Sequence, residues 1–141
     1  FLSVTPGFDI QASFVSFFEG GTLERFPNLK LLCLEVGAGW IPHFMERMDS
    51  KWEHSGFMTA CKRPPSEYFR RQVWAGADVD ESMIPAASER WGSDKFFWSS
   101  DFPHFDGFPN AIKTLKKSMG KMLEADQQNI LGNNATRAYN L

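Results

Sequence analysis

Three short apolar runs, each followed by a loop and a helical pattern, constrain this chain more than any other feature. In the first, Leu29, Leu31, Leu32, Cys33 and Leu34 are interrupted only by Lys30. A strand of that kind is buried on both faces, as in a parallel sheet. Arg71 to Ala75 reads as a second strand, and Lys95 to Asp101 as a third and clearest one. Repeated strand, loop and helix predict parallel strands joined by right-handed crossovers, hence an α/β fold.

The helices follow from spacing and punctuation. Ala12, Val15 and Phe18 mark a helix from about Asp9 to Glu19; Gly20-Gly21 breaks it, and Thr22 is placed to cap a short turn through Phe26. Glu35 to Trp40 forms a glycine-rich turn, after which Pro42 sits near the start of a helix carrying Ile41, Phe44, Met45, Met48 and Trp52 on one face. Lys62 to Pro65 is turn-rich. Asp78 to Trp91 reads as a helix opened by Asp78, Asp80 and Glu81 at the positive end of its dipole and stopped by Gly92. Further helices are predicted near Pro109 to Met119 and Ala125 to Leu131, with Gly132 ending the last.

Neither an internal repeat nor a linker divides the chain, so residues 1–141 are read as one unit. A complete (β/α)8 barrel takes about 250 residues, so three units supply only part of one. With a formal charge of -2 and no apolar run of bilayer length, the chain is expected to bind neither nucleic acid nor membrane. Phe1 to Gly7 lacks the regions of a signal peptide. Cys33 and Cys61 are expected to be reduced thiols of a cytoplasmic protein, and the initial Phe1 suggests a polypeptide that begins upstream.

Active sites of parallel α/β folds form at the C-terminal ends of the strands, where Glu35 follows the first run and Asp101 ends the third. An ionised Asp101 could ligate a divalent cation and take a proton from its water, or simply cap the next turn. His104 could ligate, shuttle protons or bind a substrate carboxylate, since imidazole works in either protonation state near neutrality; it could equally be a structural loop histidine. His43 is expected on a helix and His54 in a polar connection, and no HxH or HExxH spacing joins the three histidines. Gly37-Ala38-Gly39 before a helix invites a phosphate, but a tight turn accounts for it better. Trp40, Trp74 and Trp98 are core residues or pocket walls.

Gly21-Thr22-Leu23-Glu24-Arg25-Phe26-Pro27-Asn28-Leu29-Lys30 and Glu35-Val36-Gly37-Ala38-Gly39-Trp40-Ile41-Pro42 closely resemble the amidohydrolase-related family that includes aminocarboxymuconate-semialdehyde decarboxylase. So do Arg63 to Phe69, Trp98 to His104 and Ile130 to Ala135, in the family's order along nearly the whole chain. The resemblance implies a distorted (β/α)8 barrel around one divalent metal, often zinc with manganese as the other choice, of which this chain covers the sixth to eighth strands. Asp101 matches the family's metal-binding aspartate. The remaining ligands, a His-x-His pair and a further histidine, would precede Phe1. Family decarboxylases commonly carry a catalytic histidine where this chain has Glu35, which leaves hydrolysis open beside decarboxylation.

The expectation is therefore a homo-oligomeric enzyme acting on a small carboxylate-bearing or cyclic substrate. Asp101 would hold the metal, Glu35 would be a second acid or base, and His104 and Trp40 would line the pocket, with this portion inactive by itself. The rival expectation is a non-catalytic unit that self-associates through open sheet edges.

Overall fold

The computed structural model describes residues 4–105 and 107–141, so Phe1 to Ser3 and the Asp106 of the segment after the third strand lie outside the described residues. Three parallel strands, β1 (Leu31–Cys33), β2 (Val73–Ala77) and β3 (Phe96–Trp98), pair in the order β1-β2-β3, with Leu31 opposite Val73 and Ala75 opposite Phe96. Around them run α1 (Thr5–Glu19), α2 (Thr22–Arg25), α3 (Ile41–Ser55), α4 (Pro65–Gln72), α5 (Ile84–Trp91), α6 (Ala111–Met119), α7 (Glu124–Gln128) and α8 (Asn134–Tyr139).

The sheet alternates as pleated strands must. Cys33, Val73, Ala75, Ala77 and Phe96 join the main core beneath the helices, with Leu31 and Trp98 packed against it. Trp74 and Phe97 point the other way and form a smaller cluster with Ala138 of α8 and Leu32. Every residue of β2 is buried, whereas the β1 run is covered only in part, with Leu29 39% and Leu34 37% exposed. The expectation of a first strand buried on both faces therefore fits β2 better, because β1 lies at the edge of the sheet.

Several boundaries differ from the sequence reading for identifiable reasons. Arg71 and Gln72 end α4, not a strand: the Arg71 guanidinium donates to the Leu23 carbonyl at 2.6 Å and the Gln72 amide to the Phe26 carbonyl at 3.0 Å, tying α4 to α2. The helix expected from Asp78 begins only at Ile84, since Pro85 lacks an N–H and its ring would clash with a carbonyl one turn earlier. Thr22 opens α2 without a side-chain cap, and His54 lies in the last turn of α3. Gly132 does not end a helix; it sits within a π-helical turn, Asn129–Asn133, that leads into α8. The Cys33 and Cys61 thiols are both buried and free, and desolvation pushes Cys33 up to about 11.

Buried polar groups fix the C-terminal helices to the sheet. The fully buried Asn134 amide donates to the Ser93 carbonyl at 2.7 Å and the Phe96 carbonyl at 2.6 Å, while Arg137 donates to its oxygen at 3.0 Å. At the entry to β1, the Lys30 ammonium donates to the carbonyls of Arg137 and Ala138, at the C-terminal end of α8 where a cation is favoured. Among the described residues no helix is long and apolar enough to cross a membrane.

Asn134→Ala strands two buried carbonyls and is expected to lower stability by about 1–3 kcal/mol. Urea denaturation measures the difference, and an unchanged midpoint would show that the amide does not anchor β3.

Candidate functional site

The three parallel strands release the chain at the same end of the sheet, and a carboxylate follows each of them. Glu35 comes after β1, Asp78 directly after β2 and Asp101 after β3. All three, with Asp80, line one cleft of about 390 Å³ whose floor includes Phe97 and Ser99. A shallower depression joins Glu35 and Asp101 to Phe102, Pro103 and His104. The two carboxylates singled out from the sequence are thus brought together, and His104 stands beside them. Asp78 was missed because its position before an expected helix assigned it to the dipole; that it follows an apolar run, as the other two do, was the available signal.

Both paired carboxylates sit on left-handed backbone, Glu35 at φ 69° and Asp101 at φ 57°. Aspartate visits that region with some ease, whereas for glutamate it is uncommon. Both residues line the cleft from these positions.

Around Asp101 the loop is held by its own backbone. The His104 N–H donates to the Asp101 carbonyl at 2.7 Å, and the Phe108 N–H to the Ser100 carbonyl at 3.2 Å. Gly107 passes so close that a Cβ there would lie 3.1 Å from each of the Ser100, Asp101 and His104 carbonyls. Asp101 Oδ2 meets the His104 imidazole Nδ1 at 3.0 Å. A carboxylate paired with an exposed imidazole can orient that ring and share its proton.

The glycine-rich loop after β1 carries no free anion site. Glu81 accepts from the Ala38 N–H at 2.8 Å, from the Gly39 N–H, and from the Asp78 N–H at 3.4 Å. A Cβ on Gly39 would lie 2.6 Å from Glu81 Oε1, so a larger residue there would displace this carboxylate. The first-turn acid expected to open a helix is therefore an internal substitute for the phosphate that such amides attract. Partial withdrawal from water, with Glu81 and Asp80 adding repulsion, raises the Asp78 carboxyl above its ordinary range.

Trp40 does not line either depression. Its indole N–H donates to the Gly37 carbonyl at 2.9 Å, and its ring packs edge-on against Phe14 and Phe44. Trp74 is core and Trp98 is half-buried against the main core, in keeping with the expectation of core residues or pocket walls. His43 and His54 both lie on α3, away from the strand ends. Among the described residues no group of three or more His, Cys, Asp or Glu is arranged to hold a metal ion. The described side chains therefore do not by themselves fit a metal centre.

The family model described as amidohydrolase matches residues 8–141. An amidohydrolase from Mycobacterium avium subsp. paratuberculosis K-10 superimposes with a TM-score of 0.77 and 22% identity, over 89% of this chain and 32% of that one. 5-Carboxyvanillate decarboxylase from Sphingomonas paucimobilis gives 0.80 and 23%, over 96% and 41%. A dihydroxybenzoic acid decarboxylase from Polaromonas sp. JS666, solved with manganese and the inhibitor 2-nitroresorcinol, gives 0.70 and 22%, over 87% and 37%. The chain thus spans between 32% and 41% of the length of these structures, and at such identities the likeness is one of fold. None of the curated proteins compared with the sequence matches it.

Two stability measurements test this description of the cleft. Glu35→Gly removes the left-handed penalty, offset in part by a more flexible unfolded chain, and is expected to raise stability by about 0.5–1 kcal/mol; a fall in the urea midpoint would contradict the strain. A carboxyl with a raised folded pKa contributes its full stability below the unfolded value of about 3.9 and loses it as pH rises through the folded value. Asp78→Asn should accordingly be more stable than the parent at pH 7 and match it near pH 3, as urea denaturation at the two pH values will show.

Proposed function

The chain belongs to the amidohydrolase family, and from that premise we propose that it forms the sixth to eighth strand-helix units of a (β/α)8 barrel that hydrolyses or decarboxylates a small carboxylate-bearing or cyclic substrate. The observation that carries the reading is the gathering of Glu35 and Asp101 on one cleft at the C-terminal end of parallel strands. In this reading the cytoplasmic enzyme is a homo-oligomer with no nucleic-acid or membrane partner, and residues 1–141 alone are inactive.

Asp101 is the residue this chain would offer to a divalent cation, zinc or manganese, with the other ligands coming from outside the described residues. A cation supplies charge neutralisation to substrate oxygen when bound. The need for such compensation is evident in the cleft, since Glu35, Asp78, Asp80 and Asp101 would otherwise repel a substrate carboxylate. Glu35 acts as a second acid or base at the rim. His104, whose Nδ1 meets Asp101, holds the substrate carboxylate or passes a proton. Trp40 serves the site at one remove, by holding the Gly37 carbonyl in the loop that follows Glu35.

A second reading, a non-catalytic unit that self-associates, is favoured by one feature: β1 and β3 each pair on one side only among the described strands.

Assay of the complete protein with manganese or zinc for loss of carbon dioxide from 5-carboxyvanillate or a dihydroxybenzoate, or for hydrolysis of cyclic amides, tests the proposal. Asp101→Asn is expected to lower kcat by about 10²- to 10⁴-fold while leaving the fold intact. Full activity in that variant would overturn the assignment, and a metal-free, inactive dimer by sedimentation would establish the second reading.

A further inference from the structure

Away from the cleft, α1 and α3 enclose a groove of about 710 Å³ that shares no lining residue with it. Phe18, Phe44, Met48 and Trp52 supply an apolar floor. The segment Thr59 to Cys61 closes it through three bonds: the Cys61 thiol donates to the Phe18 carbonyl at 2.7 Å, the Trp52 indole to the Cys61 carbonyl at 3.3 Å, and the Ala60 N–H to the Glu19 carbonyl at 3.4 Å. Met58, 76% exposed, stands at its edge. A concavity of this size with a mostly apolar lining and a few polar groups at the rim has the character of a small-molecule site.

The rim has a definite sign. His43, Arg47 and Lys51 recur every fourth residue along α3 and so form one exposed row beside the groove. Of the acids on the same helix, Glu46 approaches Arg90 at 3.3 Å and Asp49 accepts from the Ser66 N–H at 2.9 Å, and neither these two nor Glu53 lines the groove. Among the described residues Arg47 and Lys51 take part in no ion pair. Among the described residues Glu19 is the one carboxylate on the groove lining, and it lies across from this row on α1.

We propose that this groove binds a singly charged amphiphile, a carboxylate on a medium-length alkyl chain, with its head on Arg47 and Lys51 and its tail over Phe18, Met48 and Trp52. Charge complementarity requires an anion at the α3 rim, and the apolar floor requires a hydrocarbon behind it. Glu19 opposes a second negative charge, which excludes dicarboxylates. The lining runs along α3 from His43 to Ser55, about 18 Å at 1.5 Å per residue, which is long enough for one extended alkyl chain.

The test is calorimetric titration of the full chain with sodium dodecanoate below its micelle concentration. One saturable site is expected, weakened at least tenfold in Arg47→Gln/Lys51→Gln, and at least tenfold weaker for 1-dodecanol and for dodecanedioate in the parent. Both substituted residues are exposed, so unchanged circular dichroism and Tm will confirm that the double variant folds. Absence of saturable binding, equal affinity for 1-dodecanol, or an unaffected double variant would overturn the proposal. So would tight binding of an acidic amphipathic helical peptide without binding of dodecanoate.

Discussion

Pairing of β2 on both of its edges is the constraint from which the rest of this structure follows. A strand whose five residues are all buried must satisfy its backbone N–H and C=O groups within the sheet, and β1 and β3 do so from either side. Parallel pairing then obliges each connection to cross the sheet face, which places α3, α5 and their neighbours over Cys33, Val73, Ala75 and Phe96. It also sends all three chain exits to one end. The acidic cleft is a consequence of topology before it is a matter of individual side chains.

The loops at that end spend their hydrogen bonds internally. Glu81 fills the amide cluster after β1, and the Ser100 and Asp101 carbonyls are taken by backbone amides of their own loop. The charged groups left to face the cleft are carboxylates. Such a site favours a cation, and an anionic substrate approaches it only with positive charge alongside. The left-handed backbone at Glu35 points in the same direction, because strain at a strand end persists only where the surroundings hold it in place.

How far this could be read from the residues depended on which interactions were local. The run Leu29 to Leu34 and the helix of Ile41, Met45 and Met48 were legible because burial follows a short period. The parallel order was legible from the alternation of those units. Arg71 and Gln72 were not, since their helical state is secured by carbonyls of Leu23 and Phe26 more than forty residues earlier. Glu81 resembled a helix-opening acid, and only the fold shows it reaching back to Ala38 and Gly39. Pro85 did carry a local signal, the exclusion of a helix through Asp78 to Trp91, and Gly132 gave a misleading one because a π turn absorbed it. Glu35 and Asp101 could be placed at one end of the sheet from the strand ends and His104 from the loop that follows, while the aromatic contacts that turn Trp40 towards Phe14 depend on α1.

A formal charge of -2 conceals a separation of charge across one strand-helix unit. Glu35 leaves β1 into the acidic cleft, and a few residues later α3 begins, pinned to the core by Ile41 and Met45. That anchoring fixes the helix rotation, so His43, Arg47 and Lys51 must fall on its outer flank, beside the apolar groove. The same α3 phase that keeps the helix on the sheet therefore keeps the cationic row apart from the carboxylates. The fold consequently presents carboxylates at its strand ends and Arg47 and Lys51 on its helical flank, on two surfaces that share no lining residue.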